Sequence, residues 1–175
     1  ARSLRYSDYL GAIFSSLRYL AQLPSVDKER IAITGGSYGG NLALIAASNW
    51  AYRNYGDPDL PPFSAHAPFY PTCFRFEQMV SGKPFADLPT TLFESLTEAS
   101  IRIYAGGKDD YEDRDPTSCD SMVKSLPIAS QRQITVRLFE DATHGWDHGS
   151  TYSFFTPSAC KGRGCQNTNE SRPDI

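Results

Sequence analysis

The sequence has 175 residues, enough for one ordinary domain but too few for two well-buried ones. Hydrophobic residues make up 40% and aromatic residues 13%, which favours a packed core and excludes a chain disordered throughout. The net charge of −3 disfavours a nucleic-acid-binding protein. There is no run of about 18 apolar residues and no basic-then-apolar leader, so we expect no membrane span and a signal peptide that is absent or already removed.

The hydrophobic pattern of the first third predicts a helix, a strand and a second helix. Apolar residues recur at helical spacing over residues 5–23, which predicts an amphipathic helix that ends at Pro24. The short apolar run at 31–34 is rich in β-branched residues and predicts a buried strand. A glycine-rich turn at 35–40 and a helix at 41–48 come next.

The same alternation continues towards the carboxyl end of the chain. Residues 64–70 predict a weaker strand, and residues 71–98 predict an irregular loop or cap over a site. Strands are predicted at 101–104 and 134–138, on either side of a helix at 116–126. Strands that alternate with helices predict an α/β domain with a mostly parallel sheet and flanking helices.

The glycine-rich turn contains Gly35, Ser37 and Gly39 in the spacing G-x-S-x-G. This is the pattern of a nucleophile elbow, in which a serine lies on a strained turn between a strand and a helix. We expect the flanking glycines to have no room for a Cβ atom. The N–H of Tyr38, at the start of the following helix, is then placed to stabilise an oxyanion.

A serine nucleophile needs a base, and the sequence contains three histidines. His144 directly follows the fourth predicted strand, at the end where functional groups collect in a parallel sheet. His66 lies within a predicted strand, where a packed structural histidine is expected. His148 is expected to be exposed and stays as an alternative base.

Two aspartates follow the third predicted strand and could supply the acid. Asp109 and Asp110 lie between the serine and His144, in the chain order Ser, Asp, His that an elbow requires. One of them would fix the tautomer of His144 and stabilise its protonated form. The alternative is that both are solvated loop carboxylates, but the elbow and the chain order favour the catalytic role.

The four cysteines, Cys73, Cys119, Cys160 and Cys165, permit two disulfides in three connectivities. Free thiols and a metal site are the alternatives. No C-x-x-C pair is present and no histidine lies at ligand spacing near the last two cysteines, so we expect no metal. Disulfides would indicate an oxidising compartment.

Several segments resemble a known superfamily. Residues 26–40, with their GGSYGG core, resemble the elbow of α/β-hydrolases and especially that of prolyl-oligopeptidase-type peptidases. Residues 69–73, 104–111 and 142–146, with Cys119 nine residues after Asp110, are similar to the dienelactone-hydrolase-like branch. The resemblance covers roughly residues 7–150.

This resemblance implies an α/β-hydrolase fold, with residues 1–155 as the C-terminal portion of one domain and residues 156–175 as a polar surface tail. It implies Asp109 as the acid, with Asp110 as the alternative. It also implies a Cys73–Cys119 disulfide beside the site, as in exported members, and a Cys160–Cys165 pair. A periplasmic or secreted location would accompany these disulfides.

The chain departs from that branch in two ways. Dienelactone hydrolases use a cysteine nucleophile, so Ser37 favours an esterase and puts lactone specificity in doubt. The chain also begins at the helix before the nucleophile strand, so the family's first strands are missing. The loop that supplies the second oxyanion N–H is missing with them. We therefore expect an additional N-terminal segment, or a second chain, to complete the sheet.

The resulting hypothesis is a serine hydrolase that cleaves small carboxylic esters, or lactones, through an acyl-enzyme, with no cofactor and no metal. Phe69, Tyr70 and Phe74 could line an acyl pocket or simply pack in the core. The first alternative is a prolyl-oligopeptidase-like peptidase that shares the triad. The second is a catalytically silent hydrolase-like module with a binding or structural role.

Overall fold

The computed structural model describes residues 5–172 and has a four-stranded parallel sheet at its centre, in the strand order β1-β2-β3-β4. The strands are β1 (Ala32–Gly36), β2 (Ala65–Phe69), β3 (Ser100–Gly106) and β4 (Ile134–Phe139). The helices near the sheet are α1 (Tyr6–Ala21), α2 (Tyr38–Ile45), α3 (Asn49–Tyr55), α4 (Cys73–Val80), α5 (Ser118–Ser125) and α6 (Ile128–Gln131), and short helical turns lie at Lys28–Arg30 and Ala159–Gly162. The predicted α/β class with a mostly parallel sheet is confirmed.

Side chains of the strands alternate between a face that packs into the core and a face that is exposed or half-buried. In β3, Ile101 and Ile103 are fully buried while Arg102 between them is exposed. Helix α1 buries one stripe, which consists of Tyr6, Leu10, Phe14 and Leu17. No helix within residues 5–172 combines the length and the hydrophobicity needed to cross a membrane.

Three helices were not predicted from the sequence: α3, α4 and the four-residue α6. Helix α3 begins after Ser48, whose hydroxyl accepts the N–H of Ala51 at 3.0 Å. Helix α4 lies in the segment 71–98, which we predicted to be irregular. It forms because Cys73, Phe76 and Met79 make a stripe that is completely buried.

The carboxyl ends of the four strands lie at one edge of the sheet. Gly36 is paired with Phe69, Phe69 with Tyr104, and Gly106 with Phe139. The segments that leave these strands therefore emerge side by side. This register brings the turn after β1, the loop after β3 and the loop after β4 together.

Two disulfides are present, Cys73–Cys119 and Cys160–Cys165, which is the pairing that the resemblance implied. The first joins the start of α4 to α5, across a sequence separation of 46 residues. A loop of that length corresponds to about 4 kcal/mol of stabilisation in the chain-entropy model. The second spans a separation of 5 residues within the segment that we predicted to be a tail.

That segment is an ordered hairpin rather than a polar surface tail. Strands β5 (Tyr152–Thr156) and β6 (Cys165–Asn169) pair antiparallel, so the predicted boundary at residue 155 falls inside β5. The hairpin is ordered because Asn167 and Asn169 are buried and the turn between its strands is closed by the second disulfide. Its polar sequence lacks the apolar alternation that usually predicts a strand.

Candidate active site

Ser37 occupies a strained turn between β1 and α2. Its backbone angles are φ 55° and ψ −114°, in a region that side chains other than glycine rarely adopt. The turn is held because the N–H of Ser37 donates to the carbonyl of Phe69, at the end of β2, over 3.1 Å. The side chain is only partly buried, so its hydroxyl is accessible from the edge of the sheet.

The close approach of backbone around Ser37 requires glycine at two positions, one of which differs from the prediction. A Cβ atom on Gly35 would lie 2.5 Å from the backbone of Gly39, and one on Gly40 would lie 2.4 Å from the carbonyl oxygen of Phe69. A Cβ atom on Gly39 would meet nothing within 4 Å. A side chain therefore has no room at Gly35 or Gly40. The prediction that Gly39 also has no room for a Cβ atom is wrong.

The structure brings Ser37, His144 and Asp109 into one hydrogen-bonded line. The Oγ of Ser37 lies 2.8 Å from Nε2 of His144, and Nδ1 of His144 lies 2.8 Å from Oδ2 of Asp109. Each residue follows the carboxyl end of a different parallel strand, β1, β4 or β3. In chemical terms, the hydroxyl can pass its proton to the imidazole, and the carboxylate can balance the resulting charge.

His144 is enclosed in a way that fixes the orientation of its ring. Its ring centroid lies 4.2 Å from that of Tyr111 and 4.8 Å from that of Tyr70, which meets it edge-on. His144 is 4% exposed and Asp109 is 2% exposed. The other oxygen of Asp109 accepts the N–H of Tyr111 at 2.8 Å, so this buried carboxylate has a partner for each oxygen.

The alternative acid and the other two histidines lie away from this line. Asp110 uses one oxygen for the guanidinium of Arg114 and the other for a backbone N–H, at 2.7 and 2.8 Å. His66 is buried with Nδ1 against the carbonyl of Ala43, and burial lowers its pKa to about 4. His148 is exposed and lies beside Tyr70, with Nε2 at 3.3 Å from the hydroxyl.

The first N–H groups of α2 lie beside the nucleophile. Tyr38 is the first residue of that helix, so its N–H has no intrahelical acceptor and points from the positive end of the helix. The Tyr38 side chain is exposed and its ring stacks on Tyr6 at a centroid distance of 4.6 Å. This places one wall of aromatic surface next to Ser37.

A pocket of about 350 Å³ opens at Ser37. It is lined by residues from several segments of the chain: Tyr6, Ser37, Tyr38, Asn41, Thr72, Phe74, Arg75, Phe85, Tyr111 and Ser158. Of the three aromatic residues predicted to line a pocket, only Phe74 lies here. Arg75 is the one charged member of this lining, and its guanidinium lies 4.9 Å from the centre of the Phe74 ring.

Phe69 and Tyr70 lie behind the site and support it. Phe69 stacks on Tyr104 at 4.5 Å, and Tyr70 meets Trp146 edge-on at 5.0 Å. The Tyr70 hydroxyl donates to Asp147 at 2.6 Å, which ties the end of β2 to the loop that carries His144. Tyr70 has φ 36°, an unusual value for a bulky residue that is maintained by these contacts.

Most of the pocket lining was missed by sequence reasoning. Asn41, for example, donates to the Tyr6 hydroxyl and to Thr72 Oγ1, both at 3.0 Å, and so joins three segments of the wall. The local sequence of these residues does not mark them as pocket lining, and only the fold brings them together. The described part of the chain contains no group of three His, Cys, Asp or Glu side chains placed to hold a metal ion.

Glu112 is a buried carboxyl group close to the acid of the line. It is 4% exposed and accepts the N–H of Phe74 at 3.1 Å. Burial, with a smaller contribution from the charge of Asp109, raises its pKa from 4.5 to about 8. The folded protein therefore retains a proton on Glu112 that the unfolded chain loses above pH 4.5.

Because the folded protein keeps this proton, we expect the free energy of unfolding to fall as the pH rises from about 4.5 to about 8 and then to level off. We expect Glu112→Gln, which resembles the protonated form, to remove a loss on the order of 4 kcal/mol across that range. Urea unfolding at pH 5, 6.5 and 8.5 measures it, with the exposed Glu140→Gln as the control. Parallel pH curves for the wild type and Glu112→Gln would contradict the prediction.

The family model of the prolyl oligopeptidase family matches residues 8–53. This segment holds most of α1, with β1, the Ser37 turn and α2, and it ends well before Asp109 and His144. A comparison with curated proteins finds no significant sequence match.

Solved structures resemble a much larger part of the chain. Esterase 2 of Thermogutta terrifontis, phosphorylated by paraoxon, is 17% identical with a TM-score of 0.56, over 83% of this chain and 56% of the esterase. Est1E of Butyrivibrio proteoclasticus is 16% identical with a TM-score of 0.58, over 83% of this chain and 64% of Est1E. An acylaminoacyl peptidase of Pyrococcus horikoshii is 14% identical with a TM-score of 0.51, over 82% of this chain and 24% of the peptidase.

These matches show similarity of fold over more than four-fifths of this chain. The chain spans 56% and 64% of the two esterases, so it corresponds to part of the structures that it matches. A parallel sheet with helices in its crossovers, a serine elbow after one strand, and similarity over more than four-fifths of the chain lead to one conclusion. The chain has the α/β-hydrolase fold.

Proposed function

We propose that this chain carries the reaction centre of a serine hydrolase that acts on carboxylic esters. The observation that carries the proposal is the continuous line from Ser37 Oγ through His144 to Asp109, with both hydrogen bonds at 2.8 Å. A serine hydroxyl becomes a useful nucleophile only when such a base is in contact with it. The accessible hydroxyl and the buried imidazole and carboxylate match the needs of that chemistry.

In the proposed mechanism, Ser37 Oγ attacks the acyl carbon while its proton moves to Nε2 of His144. The carbonyl oxygen becomes an oxyanion beside the N–H of Tyr38, at the positive end of α2. His144 then returns the proton to the leaving alcohol, which leaves an acyl group on Ser37. A water molecule, activated by the same imidazole, releases the acid. Asp109 holds the tautomer of His144 throughout.

The pocket favours a small ester as the substrate. A volume of about 350 Å³ lies at the lower end of the range for small-molecule sites, and aromatic rings from Tyr6, Phe74 and Phe85 line it. A lactone is a cyclic ester and would undergo the same acyl transfer. Esterases among the structural neighbours support this choice, and the T. terrifontis enzyme is phosphorylated by paraoxon, the type of reagent that we expect to react with Ser37.

A peptidase is the second candidate, because residues 8–53 match the prolyl oligopeptidase family. Peptide and ester cleavage share the acyl-enzyme chemistry and differ in the leaving group. An acyl-peptide reporter cleaved without any action on simple esters would favour the peptidase. Turnover of simple esters alone would favour the esterase.

An oxidising compartment, periplasmic or extracellular, is the proposed location. Both disulfides are formed, and the first of them joins buried residues next to the site. Such bonds persist outside the reducing cytosol.

Labelling of the native full-length protein with a fluorophosphonate, followed by intact-mass spectrometry, tests the proposal. We expect one adduct on the wild type and none on Ser37→Ala. Ser158→Ala is the matched control, since Ser158 lines the same pocket while His144 bonds to Ser37. A folded wild type that takes no adduct would show that Ser37 is not activated, and would favour the silent binding module.

A further inference from the structure

The hairpin of β5 and β6 and the three residues after it contact both loops of the reaction centre. We call residues 152–172 the brace. One side of the brace binds the loop after β3, which carries Asp109, and the other side binds the loop after β4, which carries His144. These two loops are also joined at their bases, where the N–H of Lys108 donates to the carbonyl of Ala142 at 2.9 Å.

On the acid side, the brace holds the two residues that follow Asp109. The N–H of Cys160 donates to the carbonyl of Asp110 at 2.7 Å, and that of Lys161 donates to the carbonyl of Tyr111 at 3.0 Å. Cys160 and Lys161 have φ values of 52° and 53°, a left-handed conformation that points both N–H groups at this loop. The Asp110 carboxylate also accepts the N–H of Thr168 at 2.8 Å.

On the base side, the brace holds the residue that precedes His144. The hydroxyl of Thr143 accepts the N–H of Glu170 at 2.8 Å and is buried. Asn169 is completely buried, and its amide donates to the carbonyl of Ser150 at 2.8 Å. Polar groups buried in this way cost free energy if their partner is lost, which makes these contacts specific in geometry.

We propose that the brace sets the position of Asp109 relative to His144, with Asp110 and Thr143 as positioning residues. On one flank, the loops that carry Asp109 and His144 are joined by the hydrogen bond from the Lys108 N–H to the Ala142 carbonyl. On the other flank, both loops bind the brace. If the brace contact is lost, the 2.8 Å hydrogen bond between Asp109 and His144 loses one of its constraints, and the contacts of Tyr70 and Tyr111 remain. A small displacement of a catalytic pair is enough to slow a reaction strongly.

This inference rests on the proposed function, and its test compares variants on each side of the brace. Thr143→Ala removes the buried acceptor and Thr143→Ser restores it. Asp110→Ala removes the acceptor for Thr168, while Arg114→Ala removes only the exposed ion pair of the same carboxylate. Ser153→Ala is the control within the brace, because the Ser153 hydroxyl bonds to exposed side chains of the hairpin.

We expect Thr143→Ala and Asp110→Ala each to lower kcat for a p-nitrophenyl ester by about tenfold, with KM nearly unchanged. The acid limb of the kcat/KM pH profile should move to lower pH, because a looser carboxylate stabilises the imidazolium less. Thr143→Ser, Arg114→Ala and Ser153→Ala should behave as the wild type. A thermal melt of each variant reports whether it is folded.

A folded Thr143→Ala or Asp110→Ala with the kcat and pH profile of the wild type would overturn the proposal. So would a loss of kcat without a change in the pH profile, since that indicates general loosening. If Thr143→Ala does not fold, Asp110→Ala against Arg114→Ala decides the question. A folded wild type that takes no fluorophosphonate and turns over no ester would overturn both the proposed function and the role of the brace. Active Thr143→Ala and Asp110→Ala variants whose pH profile does not shift would overturn the role of the brace alone.

Discussion

Replacement of Ser37 by alanine is expected to lower kcat for an activated ester by about 10⁵- to 10⁶-fold. The variant keeps the pocket, the Tyr38 N–H and the His144–Asp109 pair, but it has no atom that can form the acyl-enzyme. The residual rate should therefore reflect binding and oxyanion stabilisation alone. Initial rates with p-nitrophenyl acetate, corrected for spontaneous hydrolysis, measure the effect.

The control for this prediction is Ser158→Ala, which changes the same pocket wall without touching the hydrogen-bonded line. We expect its kcat to fall far less than that of Ser37→Ala, because His144 bonds to Ser37 and not to Ser158. If Ser37→Ala retains a tenth of the wild-type rate, Ser37 is not the nucleophile.

Replacement of Asp109 by asparagine should lower kcat by about 10⁴-fold. An amide at this position can donate to Nδ1, which favours the tautomer that cannot accept the proton of Ser37, and it cannot balance the imidazolium charge. Asp110→Asn is the neighbouring control, since Asp110 contacts Arg114 and Thr168 rather than His144.

We expect the control to lose no more than about tenfold, the effect predicted for loosening the brace. Steady-state kinetics of both variants at pH 8 makes the comparison. Equal losses in the two aspartate variants would contradict the assignment of Asp109 as the acid and would return Asp110 to consideration.

The sequence was sufficient to predict the parallel sheet and the residues that meet at its edge. Apolar, β-branched runs such as 31–34 predict strands, and the register of parallel strands then brings the loops at their carboxyl ends together. The burial predicted for 31–34 is wrong beyond Ile31, because β1 lies at an edge of the sheet and its residues are exposed or only partly buried. The structure brings Ser37, His144 and Asp109 within hydrogen-bonding distance for that reason. Their catalytic roles stay predictions until the variants are measured.

The pocket and the brace depend on contacts between distant segments, which no local pattern reports. Ser158 lies in the turn between β5 and β6, and Phe85 lies in the long loop between α4 and β3. Both line the pocket only because the fold brings these segments to it. Asn167 and Asn169 lie at buried positions of a strand where an apolar residue is the usual signal. Glycine spacing likewise predicted a tight contact at Gly39, but the close approach is at Gly40, where the helix passes the end of β2.

The buried state of Asn169 also has a consequence for how the protein can be produced. Asn169, Glu170 and Ser171 form an Asn-x-Ser acceptor for N-linked glycans. In the folded chain the amide nitrogen of Asn169 is enclosed and donates to Ser150, so no sugar fits there. In a host that attaches glycans during secretion, glycosylation of Asn169 would compete with formation of the brace. A bacterial host, or Ser171→Ala in a eukaryotic one, avoids that competition and leaves the buried amide in place.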